Sequence, residues 1–306
     1  MDAANKQDAI VAEVTQGTTP SSPAFKLLRS TSITRSATRI RVPSAERRAD
    51  RAKANMVSGL HSYGLQIVMP FTRDAANDLL WASLFNSSFS TNVMKNGSTP
   101  SFVTLEQKYE AGATDIYHRD TGLQVNTLGI SFRLGEAGVM TWGCMAMGQS
   151  QATSAIASST YAAPTPAVDP VSTNDITVSS LLGLSSPKVT GFDLQIANSM
   201  AFMHKFGSAE PFGLGLGPFD VAGSLDIYFS AAADYTSMVP FLLGSTISLV
   251  FGSSSGNKDQ IDMSEVDGFD PVVSDPTTGQ HMVNIKFMGR YDASDASVIK
   301  LTRNVA

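Results

Sequence analysis

The sequence predicts a mainly β protein, built as an antiparallel β-sandwich or barrel with two short flanking helices. Three observations support this prediction. Apolar and polar residues alternate along many short runs, glycine-rich breaks separate the runs, and only 16% of the 306 residues are charged. Alternation with a period of two places one row of side chains against a core and the other row toward water.

Six short runs show this alternation and predict strands. They lie at residues 65–71, 128–134, 192–196, 225–229, 247–251 and 283–287. The opposite row of side chains is mostly small or polar, as Gly129, Ser131 and Asp193 illustrate. Such two-faced strands are typical of antiparallel sheets with one solvated face. Glycine-rich or proline-containing breaks at 135–138 and 276–279 predict turns between them.

Two segments predict helices. Asp74 can cap a helix over residues 74–86, which carries an apolar stripe along one side. A second helix is expected after Asp234, where a proline near its middle shortens or kinks it. Each helix follows an alternating run, at 65–71 and at 225–229, so the same strand-helix order recurs 160 residues later. This recurrence suggests an internal duplication.

The predicted organisation has four parts. Residues 1–24 form a flexible polar N-terminal arm, and residues 25–149 form a first β half that contains the first helix. Residues 150–187, rich in Ser, Thr, Ala and Pro, form an extended insertion, and residues 188–306 form a second β half. The arm and the insertion are either flexible surface segments or segments that become ordered on neighbouring subunits.

The sequence lacks the patterns expected at a catalytic or metal site. Its four histidines lie outside metal-ligand spacing from one another and from Cys144, the only cysteine. Ser254 lies in a Gly-x-Ser-x-Gly match at 252–256, but a turn follows where a nucleophile elbow requires a helix. The glycines at 213–217 lack the spacing of a nucleotide-binding loop. We therefore predict that the protein is not an enzyme and uses no cofactor or metal.

Cysteine usage and hydropathy predict where the chain is made. A single cysteine excludes an intrachain disulfide, which fits folding in a reducing cytoplasm. The polar N-terminus leads into no apolar stretch, so we expect no secretory signal. The longest apolar stretch, at 238–251, is interrupted by Pro240 and Gly244 and is too short to span a bilayer. We expect no membrane partner.

Positive charge is concentrated in one basic segment. Residues 24–53 contain nine Lys or Arg and two acids, a local charge of +7, whereas the whole chain carries −5. Arginine pairs bidentately with carboxylates on a partner, and it also binds phosphates. Because residues 28–59 contain no aromatic side chain, single-strand binding is disfavoured. We therefore interpret seven arginines as candidates for a subunit interface: Arg29, Arg35, Arg39, Arg41, Arg47, Arg48 and Arg51.

The order of these motifs resembles the tail tube proteins of long-tailed, siphovirus-like bacteriophages. The resemblance extends from Phe25 to Arg303 and rests on the order of segments more than on any single motif. It begins with Phe25-Lys-Leu-Leu-Arg-Ser-Thr-Ser-Ile. It continues through the segments at 44–51, 59–69, 78–84, 101–107, 123–132, 191–198, 221–229 and 283–291.

The resemblance implies a virion structural protein that forms hexameric rings, whose sheets close into one barrel and stack into a tail tube. The tube conducts phage DNA during ejection without binding it specifically. The implied partners are further copies of the chain, a tape-measure protein, a tail terminator and distal tail proteins. The implied location is the virion tail, after synthesis in the host bacterial cytoplasm.

Two other functions stay open at this point. The first is a capsid-decorating or carbohydrate-binding β-sandwich virion protein that ends as a discrete oligomer. The second is a hydrolase that uses Ser254. Stacked rings distinguish a tail tube from both.

A tube that conducts DNA needs a wall that does not hold phosphates. An acidic or neutral polar wall repels the DNA backbone within a Debye length of ~8–10 Å. Asp193, Gln195 and Asp226 lie on polar faces of predicted strands and are therefore candidates for the lumen. Alternation places Asp193 and Gln195 on one face, but it leaves open whether that face lines the channel or the exterior.

Overall fold

The computed structural model describes residues 6–46, 48–52, 56–112, 114–164, 171–184, 187–228, 242–252, 257–274 and 281–305. Over these residues the chain is mainly β, as predicted, with a large and predominantly antiparallel sheet and one α-helix.

The elements follow one another in the order below. The first part contains β1 (Lys6–Ala12), β2 (Ala24–Leu27), β3 (Ser32–Pro43), β4 (Met56–Pro70), α1 (Asn77–Phe85), β5 (Val93–Lys95), β6 (Val103–Ala111), β7 (Thr114–Arg133), β8 (Val139–Ala146) and β9 (Gly148–Ala152). The second contains β10 (Thr160–Ala162), a 3-10 turn (Thr173–Asp175), β11 (Ile176–Leu181), β12 (Lys188–Ala197), β13 (Ala201–Met203), β14 (Gly213–Gly215), β15 (Asp220–Tyr228), β16 (Leu242–Phe251), β17 (Lys258–Ser274), β18 (Met282–Gly289) and β19 (Lys300–Val305).

Ten strands form one long antiparallel row. Its order is β3-β4-β8-β7-β12-β15-β18-β17-β16-β11. A shorter row has the order β10-β2-β1-β6-β7-β9, in which β10 runs parallel to β2. The 20-residue β7 belongs to both rows: it pairs with β9 as far as Thr121 and with β8 from Gln124 onward.

The long row curls over its own apolar side chains. Phe251 on β16 stacks on Phe132 of β7 with ring centroids 4.9 Å apart, although four strands separate β16 from β7 in the row. Phe71, just after β4, lies 5.0 Å from the same Phe251 ring. The alternating apolar rows therefore meet in one core. The described strands do not close into a barrel within one chain.

Helix α1 covers Asn77–Phe85, so it begins three residues later than the predicted 74–86 and has Ala76 in its N-cap position, but Asp74 still supports its first turn. One carboxylate oxygen of Asp74 accepts the backbone N–H groups of Ala76 and Asn77, both at 2.8 Å. Burial is the largest influence on this carboxyl and raises its pKa, while those two hydrogen bonds oppose the rise. The helix packs Trp81 edge-on against Trp142 of β8, with centroids 5.1 Å apart. This contact fixes α1 on the sheet.

Two segments that composition assigned to loose regions contain paired strands. Within the arm predicted at 1–24, β1 pairs along its length with β6 and buries Ala9, Ile10 and Val11. Within the insertion predicted at 150–187, β10 pairs with β2 and β11 pairs with β16. Both segments are polar on average, but each carries a short apolar stretch that pairs with a neighbouring strand of the same chain.

The helix predicted after Asp234 and the residue Ser254 lie outside the described residues. The run predicted at 128–134 ends early, because Leu134 follows β7 and is 52% exposed.

Candidate assembly surfaces

The three lumen candidates share one face of the long row. Residues that lie directly opposite each other on paired strands point to the same side of a sheet. Asp193 lies opposite Ser131 of β7 and Ser224 of β15, and Asp226 lies opposite Gly191, two residues before Asp193 on β12. This polar face is opposite the buried row Phe192, Leu194 and Ile196.

Strands β4, β8 and β18 extend the polar face. Gln195 lies opposite Gly129 of β7, which in turn lies opposite Thr141 of β8. In the other direction Asp226 lies opposite Asn284 of β18, whose amide donates a 2.7 Å hydrogen bond to its carboxylate. The polar face thus runs without interruption across both halves of the chain.

The acids of the polar face are partly compensated by a base that the sequence analysis did not select. The Arg133 guanidinium pairs with the Asp193 carboxylate, and this hydrogen bond is the largest cause that raises the pKa of Arg133. A Cβ atom at Gly191 would lie 2.6 Å from an Asp226 oxygen and 3.0 Å from an Arg133 nitrogen. The absence of a side chain there lets the three charged groups converge. Arg133 follows Ser131 in the same period-two row, a signal that could have identified it.

The basic segment is divided between the interior and the surface. Arg35 is buried: its Nε lies 2.7 Å from the Asp120 carboxylate, and its guanidinium also donates to Gln107 and Tyr109. Only 11% of the Arg35 side chain and none of the Asp120 side chain is exposed. Arg35 thus pairs with side chains of β6 and β7 of its own chain, which makes it a weaker candidate for a subunit interface than the exposed arginines of the segment.

The other arginines of the basic segment have different surroundings. Arg39 and Arg41 on β3 are exposed, as is Arg51, whereas Arg29 is half-buried before β3. Arg48 is exposed and pairs with Asp50 at 2.8 Å. Arg47 lies outside the described residues. The described part of the segment thus offers Arg39, Arg41, Arg48 and Arg51 to a partner.

Strands β3 and β4 project from the sheet as a two-stranded ribbon. In the described chain β8 accompanies β4 only from Tyr63 onward, so residues 56–62 pair with β3 alone. The ribbon exposes large apolar side chains, between 43% and 66% of each: Ile40, Val42, Met56, Val57 and Leu60. An isolated ribbon is only marginally stable in water, and clustered exposed apolar groups mark interaction sites.

A loop from the second half supports the base of the ribbon. The His61 N–H donates to the Ala209 carbonyl at 2.8 Å, and Glu210 lies 2.9 Å from both the His61 ring and the Tyr63 hydroxyl. Burial is the largest single influence on Glu210 and raises its pKa. The hydrogen bonds from His61 and Tyr63, together with nearby positive charge, outweigh it, so the pKa of Glu210 is lowered. The ribbon is therefore held at its base while its outer part projects.

A family model for phage tail tube protein matches residues 4–289, nearly the whole chain. The chain belongs to the phage tail tube protein family. The matched range contains both halves of the sheet and the entire polar face. Membership gives the chain a structural role in the virion tail, in assembly with itself and with other tail components. A search of curated proteins found no match.

The one cysteine of the chain lies inside the core. Cys144 is fully buried in the core, and burial raises its pKa, so the thiol is kept in its unreactive form. The described ranges contain no group of three His, Cys, Asp or Glu side chains placed to hold a metal ion. They also contain no helix long and apolar enough to cross a membrane.

Proposed function

We propose that this tail tube chain assembles with itself into stacked rings that form a hollow tube for phage DNA during ejection. The same sheet occurs six times around each ring and closes into one barrel, as in the hexameric ring that the sequence resemblance implies. A tape-measure protein, a tail terminator and distal tail proteins are its further partners in the virion, after synthesis in the host bacterial cytoplasm.

One observation carries the proposal of self-assembly. In the described residues β3 is a 12-residue edge strand that pairs only with β4 and stands beside exposed apolar side chains. Long unpaired edges associate with further strands, and natural monomers usually shorten, charge or cover them. In a tail tube family member, a long open edge with an apolar flank supports association between copies of the chain.

Negative-stain images of the concentrated, purified chain test the proposal. Stacked rings or tubes are expected. Discrete, unstacked particles at every salt concentration would contradict it and would favour a capsid-decorating or carbohydrate-binding protein. Images of the intact virion, with antibody label along the tail, provide a second and independent test.

We propose further that the polar face lines the channel. Its strands present Gln66, Thr127, Ser131, Asp193 and Gln195, which are small, neutral or acidic. The one guanidinium among the groups described above, that of Arg133, is paired with Asp193 and is therefore less available to phosphate. Lys286 of β18 lies on the same face, opposite Ser224, and is likewise paired, with Asp270 at 3.6 Å. DNA passing such a wall therefore meets cations that already have carboxylate partners.

Reversal of the charge on this wall is expected to slow DNA release several-fold. The change is Asp193→Lys with Asp226→Lys, which also frees Arg133 to contact phosphate. Release is measured from triggered virions whose tails are intact in micrographs. A control with the same change in net charge is Glu110→Lys with Asp115→Lys, because these two residues lie opposite each other at the end of the β6–β7 hairpin, outside the polar face. Release as fast as in the parent would place the lumen on another surface.

Loss of several exposed arginines is expected to weaken assembly. We predict that Arg41→Ser, Arg48→Ser and Arg51→Ser together raise the concentration needed for tubes, whereas each change alone is tolerated because exposed pairs contribute little individually. Sedimentation measures the assembled fraction. The control is Lys188→Ser with Lys205→Ser, two exposed cations outside the basic segment. Normal tubes with reduced binding of duplex DNA would instead assign these arginines to phosphates.

A further inference from the structure

The two halves of the chain repeat one strand connectivity. In the first half, four strands lie in the order β3-β4-β8-β7, and in the second half four strands lie in the order β12-β15-β18-β17. The chain visits each set in the same sequence, because β3, β4, β7 and β8 correspond in turn to β12, β15, β17 and β18.

The surrounding strands repeat as well. The early part of β7 pairs with β6 on one edge and β9 on the other, and the early part of β17 pairs with β16 and β19 in the same way. Strand β1 pairs antiparallel with the outer edge of β6, and β11 pairs in the same way with β16. The equivalent strands form two modules of seven strands each. Module 1 contains β1, β3, β4, β6, β7, β8 and β9, and module 2 contains β11, β12 and β15–β19.

The two modules already meet edge to edge inside one chain. The late part of β7, Thr127 to Arg133, pairs antiparallel with β12 from Ala197 back to Gly191. Apolar pairs such as Leu128 with Ile196 lie on the core side of this junction, and the Arg133–Asp193 ion pair lies on the polar side. This junction makes the polar face continuous.

The corresponding edges at the two ends of the joined modules are open. Strand β3, the counterpart of β12, pairs only with β4 in the described residues. The late part of β17, the counterpart of the late part of β7, pairs with β18 on one edge and, among the described residues, with nothing on the other beyond Gly268. Val272 and Val273 there are 60% and 45% exposed.

We propose that the late part of β17 pairs antiparallel with β3 of a second copy of the chain, repeating the β7–β12 junction between chains. Each chain then fills two module positions of a ring. A ring with six module positions then holds three chains, in place of the six chains of the hexamer that the sequence resemblance implies. The number three rests on the six-fold ring of the proposed function, whereas the β3–β17 pairing itself does not depend on it.

Side chains at the two open edges are similar in character. Arg39 and Arg41 are exposed on β3, and Asp270 on β17 is 61% exposed and pairs with Lys286 of its own chain at 3.6 Å. Ile40 and Val42 on β3 match Val272 and Val273 on β17 in being apolar and exposed. Both open edges thus carry charged and exposed apolar side chains, and pairing would satisfy both rows of free backbone groups.

Disulfide trapping tests the pairing. Val272→Cys is combined in turn with Thr34→Cys, Ser36→Cys or Thr38→Cys, which lie on alternate positions of β3 and share the polar side with Val272. Three positions cover neighbouring registers. The native Cys144 is buried and does not compete. Because β3 and β17 end opposite sides of the eight-strand face, a disulfide between them links two chains.

Tubes are assembled from each double-cysteine variant, oxidised and run on a non-reducing gel. We expect at least one of the three variants to give disulfide-linked dimers and trimers of the chain and nothing larger. We expect no disulfide-linked oligomers from any single-cysteine variant. The same is expected of Thr38→Cys with Thr177→Cys, because Thr177 lies on the distant β11. Normal tubes with no crosslink from any of the three pairs would overturn the β3–β17 pairing and leave the proposed tube intact. A ladder that reaches six chains would overturn the three-chain ring. Absence of rings from the unaltered chain would overturn the proposed function, and the same crosslinks in solution would then decide the pairing.

Discussion

Arg35→Met is expected to lower the free energy of unfolding by about 3–5 kcal/mol, the range found when one member of a buried ion pair is removed. The Asp120 side chain has no exposed area, and Arg35 is its ion-pair partner at 2.7 Å. Without the guanidinium, the carboxylate keeps the cost of desolvation and loses its compensating charge. The midpoint of urea unfolding, measured on unassembled chain, gives the change.

Two companion variants separate the ion pair from general effects of the substitution. Arg41→Met, on the same strand but exposed, is expected to unfold close to the parent. Arg35→Met with Asp120→Leu removes both charges and is expected to recover much of the lost stability, because a buried pair replaced by apolar residues is often neutral or better. Equal destabilisation by Arg35→Met and Arg41→Met would contradict the interior role of Arg35.

Trp142→Ala is expected to destabilise the chain by a similar amount, about 3–5 kcal/mol, because it opens a large cavity in the core. Trp142 is completely buried on β8, and its ring meets Trp81 of α1. Loss of the indole ring therefore removes packing within the sheet and also the contact that holds α1 against it. Thermal unfolding, followed by circular dichroism, measures the effect.

Trp142→Phe is the matched control. Phenylalanine keeps most of the aromatic contact with Trp81, and the indole N–H of Trp142 has no hydrogen-bond partner among the described residues, so no hydrogen bond is lost. We expect this variant to be clearly more stable than Trp142→Ala. If both variants unfold together, the volume of the ring does not determine the stability of this part of the core.

A second network connects the two modules and bears on how rigidly they are joined. Arg303 on β19 pairs with Asp78 of α1 and lies 4.0 Å from Asp259 on β17. Burial raises the pKa of Asp259 to about 6, against the opposing charges of Arg303 and Arg73. The helix of module 1 is thus tied to two strands of module 2, in addition to the β7–β12 junction. In a ring of two-module chains, β7–β12 junctions within a chain would alternate with β3–β17 junctions between chains.

Local properties of the sequence determined where strands form, where the first helix is capped, and which side chains of a strand point to the same face of the sheet. The alternating runs at 192–196 and 283–287 fall within β12 and β18, and the run at 65–71 covers the end of β4 and Phe71 just after it, because side-chain direction along a strand depends only on its period of two. The Asp74 cap is also local, since its hydrogen bonds reach only two and three residues ahead. For the same reason the sequence alone placed Asp193 and Gln195 on one face.

Only the tertiary structure decided which charges are paired, which segments are covered and which edges are open. Arg35 and Asp120 are separated by 85 residues, so composition could not distinguish this internally paired arginine from the exposed Arg41 on the same strand. Strand β1 is ordered by β6, which lies about a hundred residues later. The open edges of β3 and β17 are likewise defined by the absence of a neighbour among the described strands. Strand pairing joins residues that are distant in the chain, and a period along the chain carries no information about the partner.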